Sequence, residues 1–318
     1  MSMSDMVVFN QFLMRSYTET IDQQVRLFNQ ASGGTLILRS ARNIGDYSEE
    51  SFFATISGLV RRRDAYGTGS VSAVDLSQLQ RNTVKVAGGT PPIRWEPQQF
   101  SYMQRNQEEA GVVIGVQLAE GVLQDYLNTA VTGAVAAVSN NGAMVYDGTA
   151  GNLSLSSLLS GAAKMGDRSQ SLRSWIVHSK AMFDLWQGTL TNSNTLFQFG
   201  DVKIMEDGFG RRFIVTDSPS LVTAGSPDEY HTLGLVEMAA IVEENDDMFS
   251  NLETSNGTEN IQRTWQAEYT FNLGLKGYSW NESAGGKSPD NTEIGTGTNW
   301  PQIATSDKNT AGVLVNSD

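Results

Sequence analysis

Ten apolar side chains, Ala119, Val122, Leu123, Tyr126, Leu127, Ala130, Val131, Ala134, Val135 and Val138, follow one another at steps of three and one without a break. Glu120, Gln124, Asn128 and Thr132 hold other faces. This spacing predicts an amphipathic helix. The pattern extends back to Asn106, and Glu108 and Glu109 suit its N-terminus. A helix of about 33 residues is about 50 Å long. Few globular helices reach that length, so the rest of the chain must be arranged along this rod. Gly111, Gly115, Gly121 and Gly133 lie within it. Each costs up to about 1 kcal/mol relative to alanine. They predict close approach of another backbone, or a bend.

A second amphipathic helix is predicted over residues 7–31, where Phe9, Phe12, Leu13, Tyr17, Ile21, Val25 and Phe28 recur at helical spacing. "SGG" at 32–34 ends it. This helix packs on its own domain or clasps a neighbour. "TLILRSAR" (35–42) reads as a strand. Residues 45–100 are poor in core and carry the cations Arg61, Arg62, Arg63, Arg81 and Lys85; "NTVKV" reads as an exposed strand and "GGTPP" as a strand break. A segment of that kind leans on another chain.

Beyond the long helix the pattern is mixed. "SLSSLLSGAAKMG" (154–166) predicts a short helix, "SWIVH" a buried strand and "KAMFDLWQG" another helix. Residues 201–218 read as strand, turn and strand, 230–245 as a strand region, and 261–280 as a long strand. From Asn281 the chain is rich in Gly, Ser, Thr and Asn, which predicts a loosely folded arm.

Charge and chemistry narrow the function. With 22 basic and 35 acidic residues, the chain lacks the basic character of a dedicated nucleic-acid binder. Residues 1–100 carry 10 basic and 9 acidic groups, whereas residues 201–318 carry 7 and 19. This polarity reads either as a soluble protein with an acidic end or as copies that attract one another head to tail. There are no cysteines, which excludes disulfides, thiolate metal sites and cysteine nucleophiles. No signal peptide or membrane span is read, so folding in a cytoplasm is expected. The G-x-S-x-G elbow and the H-E-x-x-H helix are absent. "GGKS" (285–288) lacks the first glycine of a phosphate loop, and "GTGTNW" (295–300) lacks the third glycine of a dinucleotide fingerprint.

His178 and His231 are the only histidines, too few for a three-histidine metal site. His178 ends the strand in "SWIVHSKAMFDLW". As a catalytic base it would need a carboxylate such as Asp184 and a serine that nothing marks out. The plainer reading is a strand end, with Ser179 capping the next helix. "EENDD" (243–247) has no metal-ligand spacing and reads as a solvated turn.

The order of these elements resembles the major capsid proteins of tailed bacteriophages, the Hong Kong phage-type capsid fold shared with encapsulins. "SWIVHSKAMFDLW" is similar to that family's strand-then-helix step, "FGRRFIVTDS" to its "G-x-x-V-x-V-T-D" strand, and "LKGYSWN" to its terminal strand. The resemblance implies an α+β fold. Its parts would be an N-terminal arm (1–33), an extended β loop (34–100), and a peripheral domain with the spine helix (101–146) and return strands (246–280). An inserted α/β axial domain (147–245) and a C-terminal arm or tail (281–318) complete it. It implies a shell of hexamers and pentamers around double-stranded DNA. The partners would be portal, scaffolding and decoration proteins, with no cofactor, no catalytic site and no membrane contact. An encapsulin-like compartment, or a hydrolase using His178, are the alternatives. The expected inter-subunit contacts pair Arg61, Arg62, Arg63, Arg81 and Lys85 of the loop with Glu243, Glu244, Asp246 and Asp247 of a neighbour.

Overall fold

The structure is a computed structural model describing residues 3–41, 43, 45–53, 62–73, 78–96, 107–188, 194–199, 202–206, 212–256 and 259–318. Two helices dominate it. The first, α1, spans Met3–Ala31, and the second, α2, spans Gln107–Ser139. The predicted apolar stripe of α2 is nearly all buried. From Tyr126 to Val138 the helix is enclosed on most sides, so its C-terminal half forms the axis of the core.

The glycines of α2 are where the two helices meet. An added Cβ at Gly111 would lie 2.9 Å from the Phe9 carbonyl oxygen, and one at Gly115 2.6 Å from that of Leu13. Both neighbours are backbone and cannot rotate away. The expected close approach is therefore present, and it seats α1 against α2 through the buried Phe9, Leu13 and Tyr17. Ser16 adds a hydrogen bond from its hydroxyl to the Val112 carbonyl, 3.2 Å. Burying each large side chain of this kind contributes about 1.5–3 kcal/mol. Gly121, by contrast, faces open space.

Two sheets flank α2. The first is built around the long strand β14 (Gln262–Leu275). One half of β14 lies between β12 (Ala240–Glu244) and β3 (Gln78–Gly89). The other half pairs with β13 (Phe249–Ser255) and β4 (Ile93–Trp95). β1 (Leu36–Ser40) joins β12 in parallel, and β2 (Tyr47–Phe53) joins β3 antiparallel. The second sheet runs β5 (Val145–Asp147), β15 (Gly312–Ser317), β11 (Glu229–Val236), β6 (Leu172–Val177), β9 (Arg212–Val215), β8 (Val202–Glu206), β7 (Asn194–Phe199). The two-residue β10 (Val222–Thr223) pairs with β11. The helices α3 (Leu155–Ala163) and α4 (Ser179–Gly188) precede and follow β6, as predicted. Strands β12 and β14 of the first sheet and β11 and β15 of the second all contact α2.

Three expectations need correction. Residues 281–318 are not a loosely folded arm. β15 lies between β5 and β11, and Ile294, Trp300, Val313 and Leu314 are all buried to 1% exposure or less. The large apolar residues there are few, and these four are in the core. Trp300 packs edge-on against Trp280 with ring centres 4.8 Å apart, and its indole N–H donates to the Ile294 carbonyl, 2.9 Å. The short helices α5 (Glu282–Gly285) and α6 (Asn291–Ile294) are capped by Asn281 and Asp290. Second, the unit expected over 147–245 divides, because β12 belongs to the first sheet. Third, "NTVKV" is not an exposed strand: Val84 and Val86 are buried where β3 meets β14. The turn expected between β8 and β9, at 207–210, lies outside the described residues.

Replacing Gly115 with alanine should cost about 1–3 kcal/mol, because α1 must shift to admit the methyl group. Replacing Gly121 with alanine should instead stabilise by up to about 1 kcal/mol. Urea denaturation of the two variants checks both signs.

Candidate assembly surface

β2 and β3 form an antiparallel ribbon, in register from Tyr47 opposite Val84 to Phe53 opposite Gln78. β14 pairs with β3 only from Val84 to Gly89. Beyond Val84 the ribbon has two strands, for about 20 Å at the rise of a β-strand. Two strands alone are marginal in water, and the base of this ribbon is clamped. Lys287 Nζ meets Asp46 at 2.9 Å, the Tyr47 hydroxyl donates to the Gly286 carbonyl at 2.9 Å, and Asn82 Nδ2 donates to Glu282 at 2.7 Å. Residues 62–73 at the far end are exposed throughout, with Tyr66 95% exposed.

The predicted contact residues fall into two groups. Arg62 and Arg63 are exposed beside Tyr66, and Arg61 lies outside the described residues. Asp246 is exposed on its turn. The others have partners within the chain. Arg81 pairs with Glu50 directly across the ribbon, and Lys85 Nζ donates to the Asn43 carbonyl at 3.0 Å. Glu243 pairs with Arg39 on the parallel strand β1. Asp247 accepts from the Thr270 backbone N–H at 2.9 Å and from its hydroxyl.

Nor is "EENDD" merely a solvated turn. Asn245 is buried, and its side-chain oxygen accepts from Asn272 Nδ2 at 2.8 Å and from the Asn43 backbone N–H at 3.1 Å. Its amide donates to the Thr270 hydroxyl at 2.8 Å. The turn thus ties β12 to β14 and to the entry of the ribbon. Asn245 lies between four acidic residues, and only the partner geometry reveals it. Among the described residues no group of three or more histidine and carboxylate side chains could hold a metal ion.

Glu244 is the unexpected member. It reaches under α1, where the Tyr17 hydroxyl donates to it at 3.3 Å. Burial holds its carboxyl above the usual carboxylate range; the Tyr17 hydrogen bond opposes this, and the charges of Asp246 and Asp247 add to it. Burial, Glu244 and Asp246 likewise push the Tyr17 phenol upward. Asp125 on α2 is raised by burial too, and accepts from the Tyr269 hydroxyl at 2.8 Å.

His178 sits at the start of α4 and caps it. Its carbonyl accepts from Met182 N–H, the first bond of α4. Its Nδ1 accepts from Lys180 N–H at 3.2 Å, while Nε2 faces Asp217 at 3.5 Å. Both ring nitrogens are engaged, and among the described residues neither meets a serine. Ser179 is not the cap that was expected. It opens the helix, and its backbone N–H donates to Asp217 at 3.2 Å. His178 is itself the capping residue. Asp184, the carboxylate first considered for a triad, pairs with Lys180 at 3.3 Å instead.

Two outcomes follow from these sites. A carboxyl raised on folding stabilises most below its unfolded value, near 4.5 for glutamate, and that stability is lost as pH rises through the folded value. Glu244→Gln keeps the Tyr17 bond and removes the titration. Its stability relative to the parent should therefore grow as pH is raised from 4.5 toward neutrality, measured by urea midpoints at each pH. His178→Ala should cost about 1 kcal/mol, the usual loss for a helix cap, in the same assay.

Comparison with known proteins follows this architecture. A family model described as major capsid protein 13-like matches residues 5–314. Among solved structures, the cyanophage Pam1 capsid asymmetric unit superposes with a TM-score of 0.52 at 10% identity, over 89% of this chain and 88% of that one. A Mycobacterium phage Bobi structure gives 0.47 at 14% identity over 94% and 90%, and the capsid of Ralstonia phage GP4 gives 0.45 at 8% identity over 76% and 83%. A search of curated proteins finds no match. The Pam1 superposition establishes the shared fold, and the family match spans nearly the whole sequence: the chain belongs to the major capsid protein 13-like family.

Proposed function

We propose that copies of this chain close, as hexamers and pentamers, into an icosahedral head around double-stranded DNA. As a major capsid protein the chain is a shell subunit of a virion capsid. The observation that carries the finer reading is the β2–β3 ribbon. It leaves its sheet as two strands, is clamped at its base, and ends in an exposed segment with Tyr66, Arg62 and Arg63. A structure of this kind gains stability from a neighbouring surface, and a closed shell repeats that contact at every subunit.

On this reading the first sheet with α2 is the peripheral domain and α2 its spine. The second sheet is the axial domain, now including β15 and excluding β12. Residues 1–33 would serve less as a free arm than as a helix docked along the spine. Assembly would take place in the host cytoplasm, with separate portal and scaffolding proteins and with decoration proteins as further partners. The subunit's role is structural, and the cap geometry of His178 supports that over a hydrolase. Family membership favours a viral head over an encapsulin-like compartment.

The inter-subunit contacts narrow to Arg62 and Arg63, with Arg61, reaching acidic groups of a neighbour such as Asp246. Arg81, Lys85, Glu243, Glu244 and Asp247 would act within the subunit. Electron microscopy of the purified protein should show closed shells on the order of tens of nanometres across; a stable monomer would sink the reading. Reversing Arg62 and Arg63 to glutamate should abolish assembly while leaving the thermal melt of the subunit unchanged, since both are exposed. Shells that form normally in that variant would remove the arginines from the interface.

A further inference from the structure

The chain is acidic overall, with 35 acidic against 22 basic residues, yet one surface recess runs the other way. It measures about 650 Å³ and lies where the two sheets meet. The turn at Gly166–Ser171 and the start of β6 supply Arg168 and Arg173. Glu237, just after β11, Lys276, just after β14, and Lys308 of the Asp307–Asn309 turn complete the charged lining together with Asp167.

These charges do not cancel. Lys308 Nζ bonds to Asp167 at 2.5 Å, and that pair is neutral. Arg168 donates to the side-chain oxygen of Asn309, an uncharged acceptor. Lys276 Nζ donates to the Glu237 carbonyl at 2.9 Å, again uncharged. Among the described residues the Arg173 guanidinium makes no hydrogen bond or ion pair. Three cations therefore share the recess with one unpaired carboxylate, that of Glu237. Burial holds the Lys276 ammonium below the usual lysine range; Glu237 opposes this, and Arg168 adds a smaller push downward. Partly desolvated like charges stabilise one another only through a counter-charge between them.

We propose that this recess binds a phosphate-type oxyanion, with Arg168 and Arg173 as forked donors and Lys276 as a point charge. Guanidinium groups match phosphate oxygens in pairs, and an ammonium supplies undirected charge. The bound anion would join Arg173 of the second sheet to Lys276 at the end of the first, tying the two together. The phosphate comes either from a nucleic-acid backbone or from a small free phosphate. The site stands independently of the shell reading, since it rests on the charge arrangement within one subunit.

The test uses the full-length protein at low ionic strength, titrated by calorimetry with inorganic pyrophosphate and, separately, with a short mixed-sequence DNA duplex. At least one should bind. Arg173→Gln, on an exposed side chain, should weaken that binding about tenfold, the scale of a charge-assisted contact. Arg94→Gln, at an exposed position of β4 outside the recess, should leave it unchanged. Duplex binding that falls with added salt and is displaced by pyrophosphate assigns the site to a nucleic-acid backbone. Pyrophosphate binding alone assigns it to small phosphates. Failure of both ligands to bind, or equal losses in the Arg173 and Arg94 variants, overturns the proposal. Thermal melts with and without ligand confirm that each variant is folded, and the ligand-induced rise should vanish with Arg173→Gln.

Discussion

The backbone contact between α1 and α2 at Gly111 and Gly115 sets the spacing of everything else. Helices usually pack about 8–10 Å apart through interlocking side chains. Here two positions without side chains let the Phe9 and Leu13 carbonyls approach the α2 backbone directly. That approach turns Phe9, Leu13 and Tyr17 inward, and it brings the Tyr17 hydroxyl over Glu244 at the end of β12. β12 in turn pairs with β1, which follows α1 after one short turn, and with β14. A single close helix contact thereby ties one edge of the first sheet, β1 and β12, to the long helix.

The enclosed half of α2 does a second job. Its neighbours include β12 and β14 of one sheet and β11 and β15 of the other. The chain crosses between sheets in only a few residues, from Val236 to Ala240, and its C-terminal segment returns to place β15 beside β11. The two sheets are thus not independent lobes joined by a linker. They share one helix and one set of buried side chains, so a force applied at the ribbon reaches the second sheet through packed atoms. For a subunit in a closed shell, that rigidity would let small contacts repeated at many copies hold a common geometry.

How much of this was legible depended on whether neighbouring residues in sequence carried the signal. The long helix, its glycines, α3, β6 and α4 were readable because apolar spacing and helix length are local properties. β14 alternated well enough to be found. The C-terminal segment was misjudged because an average over many Gly, Ser, Thr and Asn residues concealed Ile294, Trp300, Val313 and Leu314, each placed where the core needed one large group. Strand β3 looked exposed because its burial comes from β14, nearly two hundred residues away. For the same reason the intrachain partners of the charged residues were not legible. Arg81, Lys85, Glu243, Glu244 and Asp247 stand in suggestive runs, but their partners lie across strands or beneath a helix, and no spacing rule reaches that far.

That sorting of charges sharpens the meaning of the polarised sequence. Had every basic group of the ribbon faced an acidic neighbour, assembly would depend on a broad field, strongly screened by salt. Two of those groups instead have partners inside the subunit, Arg81 on Glu50 and Lys85 on the Asn43 carbonyl; outside the ribbon, Arg39 pairs with Glu243 and Lys287 with Asp46. The pairs at Asp46 and Glu50 brace the ribbon at its base and along its length. On the proposed reading, specificity between subunits then rests less on net charge than on where a rigid ribbon can reach. On that reading the arginines beside Tyr66 would select among the surfaces within its reach.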